Sequence, residues 1–299
     1  MNFIIRKVIQ FSFLFLFIFS TFVFAQTQSK DTLLYKEFKS YADSAQNLLF
    51  SNPIVAIRLA TKARHLAIKG NFKSDVGDMY NTIGNAYHLQ ANYKEAAYNY
   101  SQALKVFEKI KSIRGQVATF INLGILHVDQ NDTEGAKKYY NEAIKNAIII
   151  GDSSNLASSY NNLAIVFQNE NKLDTALILY NKALDIRSKQ NKTKLVCNSL
   201  INIATVYFDN KEYEKCLEHL LKAYNTDSTF STDLLFKNLS DVYVQLGRFK
   251  EAEDFGLKAL NIAQETKNTR LLVDIYKNLF SVYLNLNKTK MAYQYADMA

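Results

Sequence analysis

Five asparagines recur at wide, regular intervals. Asn122, Asn162, Asn202, Asn238 and Asn278 stand two residues before Gly124, Ala164, Ala204, Ser240 and Phe280, with Thr82 in the same place before Gly84. A carboxamide carries two N–H donors and an acceptor oxygen. A row of them suits a polypeptide backbone held without regard to its side chains. It equally suits ties between neighbouring helices, or bonds to helix carbonyls. Ile125, Ile165 and Phe208 add an apolar centre beside the row, and Lys237 and Lys277 add charge towards one end. These ten residues are the candidate peptide-binding set.

No residues are assigned to catalysis, to a metal or to a cofactor. The chain lacks a Gly-rich phosphate loop, a Gly-x-Ser-x-Gly turn and a convincing nucleophile–base arrangement. His65, His88, His127 and His219 fall in separate segments without ligand spacing. Cys197 and Cys216 would lie ~10 Å out of register across an antiparallel helix pair, too far for a bridge, so two free thiols are expected.

The elements that must position the row are helices. Tyr80, Ile83, Gly84 and Tyr87 share a helical face, as do Ala96, Tyr100 and Ala103. Forty residues on come Phe120, Leu123, Gly124, His127, Ala136, Tyr140 and Ala143. A further 40 on come Tyr160, Leu163, Ala164, Phe167, Ala176, Tyr180 and Ala183. The pattern continues with Ala204/Cys216, Ser240/Ala252 and Phe280/Ala292. A single Pro and nine Gly in 299 residues agree with continuous helices. Small residues at these places imply close helix approach, with Gly84 facing Ala96 across a hairpin.

The motif aromatic-x2-Leu-Gly-x2-Tyr followed by Ala-x3-aromatic-x2-Ala resembles the tetratricopeptide repeat. The resemblance implies an all-α fold, a right-handed superhelical solenoid of antiparallel helix pairs. It also implies a concave surface, lined by the first helices, on which a protein or extended peptide lies. Tyr or Phe replaces the usual Trp, the closing Pro is missing, and the period is about 40 rather than 34. The extra length is expected in the second helices, reaching Lys111, Gly151 and Asn191.

The expected layout is a repeat region over 36–299. It comprises a degenerate repeat at 36–72, repeats near 77–112, 117–152, 157–192, 197–230 and 233–268, and an incomplete one at 273–299. Pro53 should open the second helix of the first repeat. From Ala204 to Ser240 the period loses four residues, about one helical turn. The second helix ending near Thr226 should therefore be short. Either a local change of superhelical pitch or a plain loop variation follows.

Residues 1–25 read as a signal peptide: Arg6 and Lys7, an apolar run from Val8 to Phe24, and Val23-Phe24-Ala25 at the cleavage spacing. Residues 26–35 form a short polar lead-in. An uncleaved anchor is the alternative. The expected location is the periplasm or another extracytoplasmic space. Membrane contact would come only through an uncleaved leader or a segment beyond Ala299, where the repeat pattern breaks off inside a helix. The net charge of +8 is dispersed and the groove positions are not basic, which argues against nucleic acid as partner.

These readings converge on a non-catalytic protein- or peptide-binding scaffold. Two alternatives remain open. One is the sensor region of a truncated membrane signalling receptor, since exported repeat arrays of this kind resemble the sensor parts of receptors with histidine-kinase or DNA-binding outputs. The other is a structural envelope protein that binds through its convex face.

Overall fold

The computed structural model describes residues 32–227, 230 and 232–299. The expected signal peptide lies outside the described residues. The described chain is helical and forms two compact units, Met1–Glu142 and Ala143–Ala299. The first holds α1 (32–48), α2 (Pro53–Lys69), α3 (Lys73–Leu89), α4 (Tyr93–Lys109), α5 (Ile113–Asp129) and the beginning of α6 (Thr133–Ile150). The second holds the rest of α6, then α7 (Ser153–Asn169), α8 (Leu173–Lys189), α9 (Thr193–Asp209) and α10 (Tyr213–Thr226). It continues with α11 (Asp233–Gln245), α12 (Phe249–Glu265), α13 (Thr269–Asn285) and α14 (Thr289–Met298). No helix among the described residues is long and apolar enough to cross a membrane.

One turn is used throughout. After α3, Ala91 takes φ 55° and donates its N–H to the His88 carbonyl, while the Asn92 N–H reaches the Tyr87 carbonyl at 2.9 Å. This pair of bonds satisfies carbonyls left open at the helix end. The Asn92 side chain then accepts from the Glu95 N–H and caps α4. The left-handed residue recurs at Asn71, Lys111, Asn131, Gly151, Asn171, Asn191 and Lys211, twenty residues apart each time. Asn and Gly tolerate that conformation best, which accounts for most of these choices. Side-chain caps from Asn52, Ser112, Asp152 and Asn268 start the following helices. Pro53 opens α2, as its fixed φ favours.

The turn corrects the expectation about length. Because it closes first and second helices alike, α3 and α4 are both 17 residues, as are α7 and α8. The long period is shared between both helices of a pair.

The small residues face tyrosines. A Cβ at Gly84 would lie 2.6 Å from the Tyr100 ring, and one at Gly124 would lie 2.4 Å from the Tyr140 ring. Gly84 therefore makes room for Tyr100, one turn beyond the expected Ala96. Tyr100, Tyr140 and Tyr180 are almost wholly buried, and burial raises the pKa of each hydroxyl. Two of them find acceptors: Tyr100 donates to Asn85 Oδ1 at 2.8 Å and Tyr180 to Gln168 Oε1 at 3.0 Å. Ala96, Ala103, Ala136, Ala143, Ala176 and Ala183 are fully buried between helices.

The four-residue loss is taken from two helices. α10 has 14 residues, as its early end near Thr226 led us to expect, but α11 is also short at 13. Phe230 anchors the connection in the core, and the Thr232 hydroxyl accepts from the Leu235 N–H to cap α11.

Gly84→Ala tests the tyrosine contact. Helix propensity favours Ala by ~1 kcal/mol, while overpacking a closed core costs ~1–3 kcal/mol. We expect a net loss of about 1 kcal/mol in urea unfolding. A gain in stability would show that the Tyr100 ring is free to move.

Candidate functional site

In the second unit the first helices α9, α11 and α13 lie side by side. Where the period loses its four residues, a cavity of about 250 Å³ opens between α9 and α11. Thr205, Phe208 and Asp209 wall it on one side and Lys237, Asn238 and Asp241 on the other, with Cys216 and Leu220 of α10 as its floor. A shallower cleft of about 410 Å³ adjoins it and shares Phe208, Lys237 and Asp241. Val244, Gln245, Asp274, Lys277, Asn278 and Ser281 complete that cleft.

Its charges are organised around Asp241. Lys237 Nζ lies 2.7 Å from Asp241 Oδ2, one helical turn away, and both side chains are 22% exposed. Asn278 Nδ2 donates to the other oxygen at 2.6 Å. Burial pushes the Asp241 pKa up. Lys237 and Asn278 oppose that rise, and Asp274 adds to it. Burial also pushes the Cys216 thiol up to about 12, with Asp241 and Asp209 contributing. Cys216 is therefore a protonated wall residue at neutral pH. Both cysteines are buried free thiols.

The asparagine row divides. Asn202 Nδ2 donates to Asn161 Oδ1 at 2.9 Å and ties α9 to α7, while Asn278 ties α13 to α11. Asn162 Oδ1 sits 3.4 Å from the Asn161 amide, a long contact on the same helix. Asn122 is half-buried on α5 in the first unit. Asn238 differs: its Nδ2 is buried and has no hydrogen-bond partner among the described residues, and the residue lines the cavity. Of the other sequence-derived candidates, Phe208, Lys237 and Lys277 gather at the cleft with Asn238 and Asn278. Ile125 is half-buried on α5 in the first unit and Ile165 on α7 in the second.

Several residues were missed. Asp241, Cys216 and Leu220 line the cavity and are not among the ten candidates. Asn161 accepts from Asn202 and also from Arg187 Nη1 at 3.2 Å. Arg187 is 7% exposed, donates to Ser199 Oγ at 2.6 Å, and has its pKa lowered by burial. In the first unit a buried Asn81–Thr119 pair at 3.0 Å joins α3 to α5. The alignment of Asn81 with Asn161 was the one available sequence signal for these ties.

The family model for the soluble NSF attachment protein, SNAP, matches residues 59–231, more than half of the chain. The chain belongs to this family. A tetratricopeptide repeat model matches residues 237–266, so the protein carries tetratricopeptide-type helix pairs. No curated protein matches it in sequence. Aspartyl phosphate phosphatase F from Bacillus subtilis is similar in structure at TM-score 0.68 and 12% identity, covering 90% of this chain and 70% of its own. BtubC from P. vanneervenii is similar at TM-score 0.60 and 17% identity, over 78% of this chain and 92% of its own. A signal transduction ATPase with numerous domains and a tetratricopeptide repeat sensor, from Pyrococcus horikoshii, is similar at TM-score 0.62 and 17% identity. That match covers 85% of this family member and 43% of the ATPase. At such identities the likeness shows the fold: a helical repeat scaffold suited to protein binding, of a type that is in general non-catalytic.

Two substitutions test the polar ties. Lys237→Met leaves the Asp241 carboxylate without its cation. The folded-state pKa of Asp241 is already raised, so its ionisation opposes folding as pH rises above the ordinary 3.8. The variant should lose ~1–2 kcal/mol at pH 7, with the difference from wild type vanishing near pH 3, where the group is protonated in both. A difference independent of pH would exclude this pairing as the cause. Arg187→Met removes a buried cation that has only neutral acceptors among its recorded hydrogen bonds. Asn161 keeps its bond from Asn202, and Ser199 keeps its bond to the Leu195 carbonyl at 3.1 Å. Thermal stability should hold or rise, by up to ~2 kcal/mol; a fall of that size would show the guanidinium to be structural.

Proposed function

We propose that this protein is a non-catalytic scaffold acting outside the cytoplasm, and that it holds an extended segment of a protein or peptide across α9, α11 and α13 of its second unit. The observation that carries the reading is the cleft itself. It is a continuous surface with an apolar wall at Phe208, ion-paired charge at Lys237 and Asp241, and an unpaired donor at Asn238. Ligand sites combine apolar lining with a few placed polar groups in this way. First helices packed ~9–10 Å apart meet an extended chain that advances ~3.3 Å per residue. Each helix thus addresses about every third residue of the ligand. The location rests on the leader sequence, Arg6-Lys7 followed by the apolar run to Phe24.

A sensor role is the second reading. It is favoured by the same leader together with the likeness to an ATPase whose repeat region is described as a sensor. The cleft would serve both roles.

Selection of displayed random decapeptides on the full chain tests the binding reading. Val244→Arg and Ser281→Arg, both at half-buried cleft positions, should weaken the selected peptides at least tenfold while the helical circular dichroism melt is unchanged. Peptides indifferent to both changes would move the site away from this cleft.

A further inference from the structure

We propose that the cavity between α9 and α11 is a side-chain pocket that anchors one neutral aliphatic residue of the bound peptide, with Asn238 Nδ2 donating to that residue's backbone carbonyl. This rests on the peptide-binding reading above and assigns it a recognition element.

The pocket exists because a tie is missing. Asn278, two residues before Phe280, reaches Asp241 on the preceding first helix. The residue equivalent to Asp241 on α9, 36 positions earlier, is Thr205. Both Thr205 and Asn238 line the cavity, yet the Asn238 amide meets no acceptor. Thr205 Oγ instead donates to the Asn202 carbonyl of its own helix at 2.8 Å and accepts from Gln168 Nε2 at 3.4 Å. Leaving a buried amide without a partner is unfavourable, so an acceptor arriving there makes a hydrogen bond that the described residues leave unmade. One water would satisfy the amide. The cavity, at about 250 Å³, is several times the ~30 Å³ share of a water molecule. Its floor of Leu220 and Cys216, with Phe208 beside them, is apolar, while Thr205, Asp209, Lys237 and Asp241 stand at its walls.

Charge selects a neutral occupant. Asp241 already accepts from Lys237 and Asn278, and Asp209 accepts from Gln168 Nε2 at 2.7 Å. A cationic side chain would stand beside the Lys237 ammonium, which already pairs with Asp241. An anionic one would meet two carboxylates and a lysine that is already engaged. An aliphatic side chain displaces water from an apolar floor, which is favourable at ~25 cal/mol per Å². The peptide carbonyl supplies the acceptor.

The test uses the full chain and decapeptides selected on it from a random displayed library. Two variants are compared with wild type: Asn238→Asp, which keeps the size and removes the donor, and Thr205→Met, which fills the cavity from its wall. We expect one shared Leu, Ile or Met position among the peptides and at least tenfold weaker binding to each variant, at an unchanged melting temperature. Replacing the shared residue by Lys or Asp should weaken binding to the same degree. Peptides that bind wild type and both variants alike, or whose shared residue is charged, overturn the pocket while leaving the cleft as the binding surface. Failure to select any peptide overturns both readings.

Discussion

The spacing of the repeated helix faces depends on one three-residue turn. Its central residue, at φ near 55–60°, stops a helix, and its last residue starts the next. Because hairpin turns and repeat-to-repeat turns are the same, the half-repeat is fixed at twenty residues from Asn71 to Lys211. Helices of equal length presenting the same face every forty residues then follow without further instruction. The Gly–Tyr contacts are set by this register: Gly84 and Gly124 leave the volume that Tyr100 and Tyr140 fill.

The cleft is the consequence of breaking that rule once. Removing four residues between Ala204 and Ser240 removes about one turn, and the chain takes it from α10 and α11 together. The core is repaired by Phe230 and the Thr232 cap. The first-helix face is left with a cavity floored by Cys216 and Leu220. Elsewhere adjoining first helices are tied by pairs such as Asn81–Thr119 and Asn202–Asn161.

Much of this was legible in the sequence, for a physical reason. Helix faces and repeat period are one-dimensional properties, so Tyr80, Gly84, Ala96 and Tyr100 declare them directly. The deletion was visible too. What spacing does not encode is the offset between neighbouring helices, and offset decides hydrogen-bond partners. Hence the Gly84 contact was placed one turn early, on Ala96 instead of Tyr100. Hence also Asn161 and Arg187 are not marked by spacing, although with Ser199 and Asn202 they form a polar cluster in the second unit. Cys216 and Leu220 look like ordinary core in sequence. They become a cavity floor only because two helices shorten at once.

The asparagine row began with two competing explanations, ligand contact and helix tie, and the geometry separates them position by position. A carboxamide whose N–H is spent on a neighbouring helix has less to give a ligand, which is the case at Asn202 and Asn278. A buried carboxamide N–H with nothing to meet has the most to give, which is the case at Asn238. The same residue type at the same repeat position therefore ties helices at Asn202 and Asn278 and stands unpaired among the described residues at Asn238, and the residue facing it on the preceding first helix decides which. Between α7 and α9, Asn202 meets the Asn161 carbonyl oxygen and holds the fold together. Between α9 and α11, where Thr205 stands in the place that Asp241 takes on the next helix, Asn238 lines the cavity. A row of identical residues in a repeat protein is thus a poor map of a binding site until the irregularities of the repeat are located, because the irregularity frees the side chain.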